Sequence, residues 1–280
     1  NCKPVPVDSD LLTWNLDVSK IEEKITKKTK AIIVVHLYGQ PSDMDPINQI
    51  AKKYNLKLVV DNTFSPLSIS PYKLGADVII HSLTKFINGS SDTVGGVVCG
   101  TQEFINQLRD VNSGACMLLG STMDSFRSAS ILKNLRTLHI RVQQHSKNAL
   151  FLAERFELMR LKTVYPGLPS HPSHDIFKDM MNAEYGYGGM LTLDAGSLEK
   201  ANELMELMQH ENLGYLAVSL GFYKTLFSAP GTSTSSEIPM EEQIEMGLSD
   251  GIIRFSIGLD NDIERTYRAM RLCMKQVGVL

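Results

Sequence analysis

The stretches VVDNTF (residues 59–64) and VIIHSLTK (residues 78–85) decide the fold of this chain, because each joins an apolar run to a polar end. Short β-branched runs without alternation predict strands that are buried on both faces of a parallel sheet. The first run ends at Asp61, and the second ends in a turn that carries Lys85. Ligands of open parallel sheets bind beyond the carboxyl ends of the strands, so we expect both side chains at one sheet edge.

The sequence around these stretches alternates between strand and helix patterns. The pattern predicts a strand at residues 31–36, a helix from Ser42 or Asp43 to about Tyr54 and a strand at Leu56–Asp61. This order predicts a right-handed β-α-β unit. The other elements predicted here are strands at Ala76–His81 and Thr93–Cys99, a helix at Thr101–Val111 and a long helical region at about residues 123–159. The fold class predicted is α/β with a mainly parallel sheet.

A second, smaller α+β unit is predicted after the long helical region. We place a large cofactor-binding domain at residues 1–147 and a small C-terminal domain at residues 148–280. The elements predicted in the small domain are strands at Leu161–Tyr165, Gly189–Leu193, Tyr215–Ser219 and Ile252–Ile257, helices at Ser197–Gln209 and Asp260–Lys275, an irregular segment at Pro166–Tyr187 and a polar loop at Ser228–Pro239.

Composition excludes several classes of function. A net charge of −3 provides no basic field for nucleic acid or an anionic membrane. No apolar run approaches the ~20 residues of a membrane span, and residues 1–20 show no signal-peptide pattern. Four widely spaced cysteines form no CxxC pair, and the histidines show no metal-site spacing, so we expect no metal and a reducing, cytoplasmic setting.

The residues at the predicted sheet edge suit one cofactor. Lys85 can hold an aldehyde as a Schiff base, and Asp61 can keep a ring nitrogen protonated. The hydroxyls of Ser82 and Thr84 flank the lysine and can bind a phosphate. Together they predict a site for pyridoxal 5′-phosphate (PLP). As alternatives, Asp61 caps the following turn and Lys85 is a solvated surface lysine.

A substrate carboxylate needs a partner, and arginine binds carboxylates through two hydrogen bonds. Arg254 interrupts the otherwise apolar strand IIRFSIG at residues 252–258, a costly position without an anion. Ser219, in LAVSLG at residues 216–221, is a second candidate for the same pocket. The alternatives are a structural salt bridge for Arg254 and a strand-end hydroxyl for Ser219. We interpret Arg127, Arg136 and Arg141 as charges on helix faces.

The chain resembles the Cys/Met-metabolism PLP-dependent enzymes over roughly residues 58–280. The matching motifs are VDNTF at 60–64, LGADVIIHSLTKF at 74–86, DTVGG at 92–96, AVSLG at 217–221 and IRFSIG at 253–258. Within the family, YPGL at 165–168, YGYGG at 185–189 and STSSE at 233–237 look most like plant-type methionine γ-lyases.

This resemblance implies a fold type I, aspartate-aminotransferase-like enzyme that usually forms a homotetramer. It assigns Lys85 to the Schiff base, Asp61 to the pyridine nitrogen and two further kinds of contact to the other predicted residues. These contacts are phosphate for Ser82 and Thr84 and substrate carboxylate for Arg254 and Ser219. The activity implied is that of a PLP-dependent lyase on a small sulfur amino acid, with α,γ-elimination from methionine as the first hypothesis.

Residues 1–57 instead resemble the DegT/DnrJ/EryC1 sugar aminotransferases, through VHLYGQPSDMD at 35–45. The Cys/Met family has a longer N-terminal portion with a phosphate loop, a ring-stacking tyrosine and a Tyr-x-Arg pair, and we expect this portion to be missing here. The family's Asn-Pro motif, whose asparagine contacts the cofactor, is also absent, and Tyr38 and Gln40 are the candidates to replace that asparagine.

Three alternatives to methionine γ-lyase stay open. They are a transsulfuration or sulfhydrylation enzyme (cystathionine γ-synthase, cystathionine lyase or O-acetylhomoserine sulfhydrylase type), a PLP-dependent sugar aminotransferase, and a catalytically incomplete fragment or chimera. Arg254 argues against the sugar aminotransferase, because a nucleotide sugar has no α-carboxylate.

Overall fold

The computed structural model describes residues 2–233, 237–245 and 249–280, without the side chains of Met240 and Ile244. The strands in these residues are β1 (Ala31–Val35), β2 (Lys57–Asp61), β3 (Val78–Ser82), β4 (Gly96–Gly100), β5 (Thr163–Val164), β6 (Met190–Asp194), β7 (Tyr215–Leu216), β8 (Leu226–Ser228) and β9 (Ile252–Ser256). The helices are α1 (Ile21–Lys24), α2 (Met44–Lys53), α3 (Gln102–Arg109), α4 (Ala115–Leu119), α5 (Ser125–Leu135), α6 (Leu138–Leu158), α7 (His174–Met180), α8 (Leu198–His210), α9 (Met240–Glu245) and α10 (Ile263–Val277).

The first sheet has the order β1-β2-β3-β4, with β1, β2 and β3 parallel and β4 antiparallel to β3. The predicted β-α-β unit is therefore confirmed. Asp61 is the last residue of β2 and Ser82 the last of β3, so the two strands end at the same sheet edge. The register pairs Asp61 with Val35 on one side and Ile80 on the other.

One face of this sheet is packed and the other is open. Helix α2 begins after Asp43, whose side chain accepts a hydrogen bond from the Asp45 N–H, and it buries Ile47 against the sheet. Side chains on β1 alternate between buried and exposed, and Ile33 is exposed on the open face. Alternation sets which strand residues face the packed side.

The second sheet has the order β5-β6-β9-β8-β7, with β9 in the centre. Ile253 and Phe255 of β9 are buried in a core that includes residues of α6, α8 and α10. Because strand side chains alternate between faces, Arg254 and Ser256 lie on the other face. The sheet thus places a buried arginine opposite its own apolar core.

Several elements differ from the sequence predictions. Helices α5 and α6 replace the single helical region, and they meet at residues 136–137. Helix α7 lies inside the segment 166–187, which was predicted to be irregular, and β8 was not predicted because three residues carry no readable periodicity. In the predicted loop 228–239, residues 234–236 lie outside the described residues.

The proposed domain boundary falls within a continuous helix. Helix α6 runs through residues 147 and 148, and it packs against the second sheet through Leu152 and Phe156. The first sheet lies before this helix in the chain and the second lies after it. The division at residues 147 and 148 stays a prediction.

Candidate active site

The turn that carries Lys85 is wider than an α-helical turn. The Asn88 N–H donates to the Leu83 carbonyl (3.0 Å), five residues back, and the Gly89 N–H donates to the Lys85 carbonyl (2.8 Å). Lys85 itself has φ −89° and ψ −132°, outside helical values. Such wide turns are rare and are frequent at functional sites. We call residues 83–89 the lysine turn.

The Lys85 amine is hydrogen-bonded to a hydroxyl. Its Nζ donates to the Ser219 Oγ at 3.0 Å, a contact between residues 134 positions apart. Among the described residues no carboxylate lies within 4 Å of this amine. Burial, and then the positive charge of Arg254, lower the pKa of Lys85. A lysine with a lowered pKa presents more of the nucleophilic free amine.

Gly221 brings the loop of Ser219 against the lysine turn. A Cβ at residue 221 would lie 2.3 Å from the Phe86 backbone nitrogen, and the residue has φ +73°. Its N–H donates to the Ser256 Oγ at 2.9 Å, which ties the loop to β9. Only glycine combines this conformation with so close an approach of two backbones.

Arg254 completes the cluster from the second sheet. The residue is 5% exposed, and its Nη2 donates to the Ser219 carbonyl at 3.3 Å. Its guanidinium carbon lies 5.9 Å from the centre of the Tyr38 ring. Burial lowers the pKa of Arg254, while Tyr38 acts in the opposite direction. Within the described part of the chain, no carboxylate lies within 4 Å of it, so the predicted salt-bridge alternative finds no partner there.

Asp61 lies at the end of β2, where its charge acts on the buried His36 and the partly buried His81. Its carboxylate accepts the Thr63 N–H at 2.9 Å, the turn-capping bond of the alternative interpretation. Its negative charge opposes the effect of burial, which lowers the pKa of His36 to about 4 and also lowers the pKa of His81. The His36 Nε2 and the His81 Nδ1 are buried without a hydrogen-bond partner among the described residues.

Ser82 and Thr84 make local contacts at the same edge. The Ser82 N–H donates to the Thr63 Oγ1 at 2.8 Å, so two adjacent strand ends are joined. The Thr84 Oγ1 accepts the Gly95 N–H at 3.0 Å and holds the start of β4 against the lysine turn. The phosphate contacts predicted for Ser82 and Thr84 stay predictions.

Sequence reasoning missed the role of Arg141. Its guanidinium, on α6, donates to the carbonyls of Phe86, Ile87 and Asn134, and burial lowers its pKa. The interpretation of Arg141 as a helix-face charge is therefore wrong. The spacing R-x-x-x-H, which puts Arg141 and His145 on one helix face, was the available signal.

Two other classes of site receive no support from the described ranges. They contain no group of three or more His, Cys, Asp or Glu side chains placed to hold a metal ion. They also contain no helix with the length and hydropathy needed to cross a membrane.

The comparisons with known proteins agree with this geometry. Residues 8–265 match the model of the family "Cys/Met metabolism PLP-dependent enzyme". The chain belongs to this family. A methionine γ-lyase of Arabidopsis thaliana is 41% identical over 227 residues, which are 81% of this chain and 52% of that protein.

Two solved structures share the fold of the chain. The first is a putative O-acetylhomoserine (thiol)-lyase of Campylobacter jejuni that contains N′-pyridoxyl-lysine-5′-monophosphate (TM-score 0.82, 27% identity, 92% of this chain and 69% of that one). The second is a cystathionine γ-synthase of Xanthomonas oryzae pv. oryzae in complex with aminoacrylate and cysteine (TM-score 0.83, 29% identity, 96% and 68%). They confirm the predicted fold type I class.

The comparisons also show how much of this chain and of its plant relative the similarity covers. The chain spans about half the length of the plant relative. The family match begins at residue 8, so it includes most of residues 1–57, which the sequence analysis had set apart from the family. The resemblance of those residues to sugar aminotransferases stays a prediction.

Proposed function

We propose that the chain carries out PLP-dependent carbon–sulfur bond chemistry on amino acids, with α,γ-elimination from methionine as the first candidate reaction. The observation that carries this proposal is the cluster of Lys85, Ser219 and Arg254. It combines an amine of lowered pKa with a buried guanidinium that has no acidic partner among the described residues. A reactive amine beside a buried guanidinium suits an aldehyde cofactor and a carboxylate substrate.

The residues present fit PLP. Lys85 would hold the aldehyde carbon and would later move protons at the substrate, because its amine lies at the centre of the cluster. Asp61, at the neighbouring strand end, would face the ring nitrogen, and Ser82 and Thr84 would face the phosphate. When bound, PLP would supply an electron-withdrawing ring that stabilises negative charge at the substrate α-carbon.

Arg254 would bind the substrate α-carboxylate. A buried guanidinium costs several kcal/mol of desolvation, and an anion at hydrogen-bond distance offsets that cost. Ser219 would contribute its hydroxyl to the same carboxylate after releasing the Lys85 amine. This demand for an α-carboxylate disfavours the sugar aminotransferase alternative, since keto sugars lack that group.

The second candidate is γ-replacement or transsulfuration with the same residues. It is favoured by the two solved structures of similar fold, a cystathionine γ-synthase and a putative thiol-lyase. The two candidates share Lys85, Asp61 and Arg254 and differ in which nucleophile enters after the bond to sulfur or oxygen breaks. The third possibility that the experiment below distinguishes is a catalytically incomplete chain.

Absorbance and product analysis test the proposal together. With PLP added, the protein should show a band near the visible edge that Lys85→Ala abolishes and the exposed-lysine control Lys73→Ala retains. With methionine and water, α,γ-elimination gives 2-oxobutanoate, methanethiol and ammonia. Turnover of cystathionine, or of O-acetylhomoserine with a thiol to replace its acetate, without turnover of methionine would favour the second candidate. Amino transfer from glutamate to a keto sugar, or the absence of the band, would contradict the proposal.

We also propose that the chain self-associates in the cytoplasm. The large apolar side chains exposed on residues 111–140 include Met117, Leu118, Leu119, Phe126 and Leu132. Apolar surface of this kind commonly marks a protein interface. Sedimentation velocity should therefore detect a dimer or larger species, and a monomer at all concentrations would contradict this proposal.

A further inference from the structure

One face of α6 carries three polar side chains that all bind backbone carbonyls. They are Arg141, His145 and Asn148, spaced four and three residues apart, so they lie on one side of the helix. We call these three residues the α6 clamp. Their acceptors lie on the lysine turn, on the segment that follows β9 and on the end of α5.

Arg141 holds the lysine turn. Its Nη1 donates to the Phe86 carbonyl, and its Nη2 donates to the carbonyls of Ile87 (2.8 Å) and Asn134 (3.0 Å). Its Nε donates to the Thr137 Oγ1 at 3.2 Å. Two of these acceptors directly follow Lys85 in the chain. The rigid guanidinium fork therefore fixes the backbone next to the reactive amine.

His145 contacts both halves of the site. Burial lowers its pKa to about 4, so the imidazole is neutral at pH 7. Its Nδ1 donates to the Ile257 carbonyl at 2.6 Å, because a carbonyl can only accept. Its ring packs edge-on against Phe86, with 5.2 Å between ring centres. One side chain thus joins the lysine turn to the end of β9.

Asn148 extends the contact beyond β9. Its Nδ2 donates to the carbonyls of Gly258 and Asp260, both at 2.9 Å. Arg254 lies within the strand that leads directly into these acceptors. The clamp therefore binds the segments on either side of the Lys85–Ser219–Arg254 cluster, and its hydrogen bonds within the described ranges go to backbone carbonyls and Thr137 rather than to those three side chains.

We propose that the α6 clamp sets the position of the Lys85 amine relative to the Arg254 guanidinium, and that Arg141 and His145 are its principal positioning residues. This inference rests on the proposed function of the cluster. The amine must meet the aldehyde carbon at reacting distance and with aligned orbitals, and the substrate must reach Lys85 while Arg254 holds its carboxylate. A displacement of about 1 Å at such a site slows the reaction by up to about a hundredfold.

The experiment compares matched variants on and off the clamp. Arg141→Ala and Arg141→Lys are paired with Arg136→Ala, an exposed arginine before α6. His145→Asn and His145→Ala are paired with His139→Ala, an exposed histidine on α6. The first readout is the rate constant of PLP addition to Lys85 at fixed pH, normalised to the folded fraction. The second is hydrogen exchange of the Asn88 and Gly89 amides without PLP.

We expect Arg141→Ala to slow the addition about tenfold and to speed exchange of both amides about tenfold. Arg141→Lys should lie between Arg141→Ala and the unmodified protein, since an ammonium lacks the fork. His145→Asn keeps a donor near Nδ1 and should retain more of the rate than His145→Ala. The two control variants should match the unmodified protein.

Two results would overturn the inference. In the first, folded Arg141 variants add PLP at the same rate as the unmodified protein, and their Asn88 and Gly89 amides exchange at unchanged rates. An unchanged rate of PLP addition is what a merely structural role of Arg141 predicts. In the second, Arg136→Ala slows the reaction equally. If Arg141→Ala does not fold, Arg141→Lys decides by the same criteria. If even the unmodified protein adds no PLP, the proposed function fails, and hydrogen exchange alone decides on the clamp.

Discussion

The two sides of the site are held in place in different ways. On the arginine side, Ser219 is hydrogen-bonded to both Lys85 and Arg254, which lie 134 and 35 positions away in the sequence. On the sheet-edge side, Asp61, Ser82 and Thr84 make bonds to nearby turns. The arginine side thus depends on packing between the two halves of the chain, and the sheet-edge side depends on bonds among strand ends and turns within residues 61–95.

This difference predicts that replacing Arg254 separates function from stability. Arg254→Met should reduce kcat/KM for an amino-acid substrate about a hundredfold or more, because the carboxylate loses a charged partner worth about 3 kcal/mol. The free energy of unfolding should stay equal or rise by about 1 kcal/mol, since no carboxylate of the described residues pairs with Arg254 and would lose its partner. Denaturant titration and steady-state kinetics measure both.

The exposed Arg271→Met is the control, and it should change neither quantity. A loss of more than about 2 kcal/mol of stability, with an unchanged KM, would show that Arg254 is structural and would remove the distinction between the two sides.

The second test concerns the close approach that brings Ser219 to Lys85. Gly221→Ala should lower the free energy of unfolding by about 2–3 kcal/mol, from a left-handed conformation plus the clash with the Phe86 backbone. Gly196 is the matched control, because it has φ +88° but nothing within 4 Å of an added Cβ. Gly196→Ala should cost only about 1 kcal/mol, and equal losses in the two variants would refute the close approach.

The third test uses the buried histidines on the two sides. Burial lowers the pKa of His36 and of His145 to about 4, from about 6.5 in the unfolded chain. The folded protein therefore binds fewer protons, and the free energy of unfolding should fall as the pH drops from about 6.5 to 4. The slope reaches at most about 1.4 kcal/mol per pH unit for each histidine.

Replacing one histidine should reduce the fall in the free energy of unfolding between pH 6.5 and 4 by about 2 kcal/mol. His36→Gln reports on the side of Asp61, whose charge partly offsets burial, and His145→Asn reports on the side of Arg141, whose charge adds to it. Urea titrations at pH 4.5 and 7.5 measure the change, with the exposed His210→Gln as the control. An identical pH dependence in all variants would contradict the lowered pKa values of His36 and His145.

The smallest effect is expected at Thr84. Thr84→Val removes the acceptor of the Gly95 N–H and should cost about 1 kcal/mol of stability, while Thr84→Ser should cost less. PLP affinity should change about tenfold or less if the hydroxyl mainly holds the turn. A larger loss of PLP affinity at unchanged stability would show that the Thr84 hydroxyl contacts the phosphate. The sheet-edge side would then serve mainly to bind the cofactor.

The sequence was informative where function and local pattern coincide. The positions of Asp61 and Lys85 were predictable because each follows an apolar run, and the buried position of Arg254 was predictable because it lies inside an apolar strand. Their roles towards cofactor and substrate stay predictions. The contact between Lys85 and Ser219 was not predictable, since it depends on how the Gly221 loop packs. The carbonyls bound by Arg141 were not predictable from the sequence. Helical periodicity shows which residues share a face of α6, but it does not show which segment packs against that face.

The central claim is that the Lys85 amine is the one group that reacts with PLP. Mass spectrometry of the protein after incubation with PLP and reduction by borohydride tests this directly. The account predicts one reduced pyridoxyl group per chain, on the peptide that contains Lys85. A label spread over exposed lysines such as Lys73 and Lys133, with Lys85 unmodified, would contradict it.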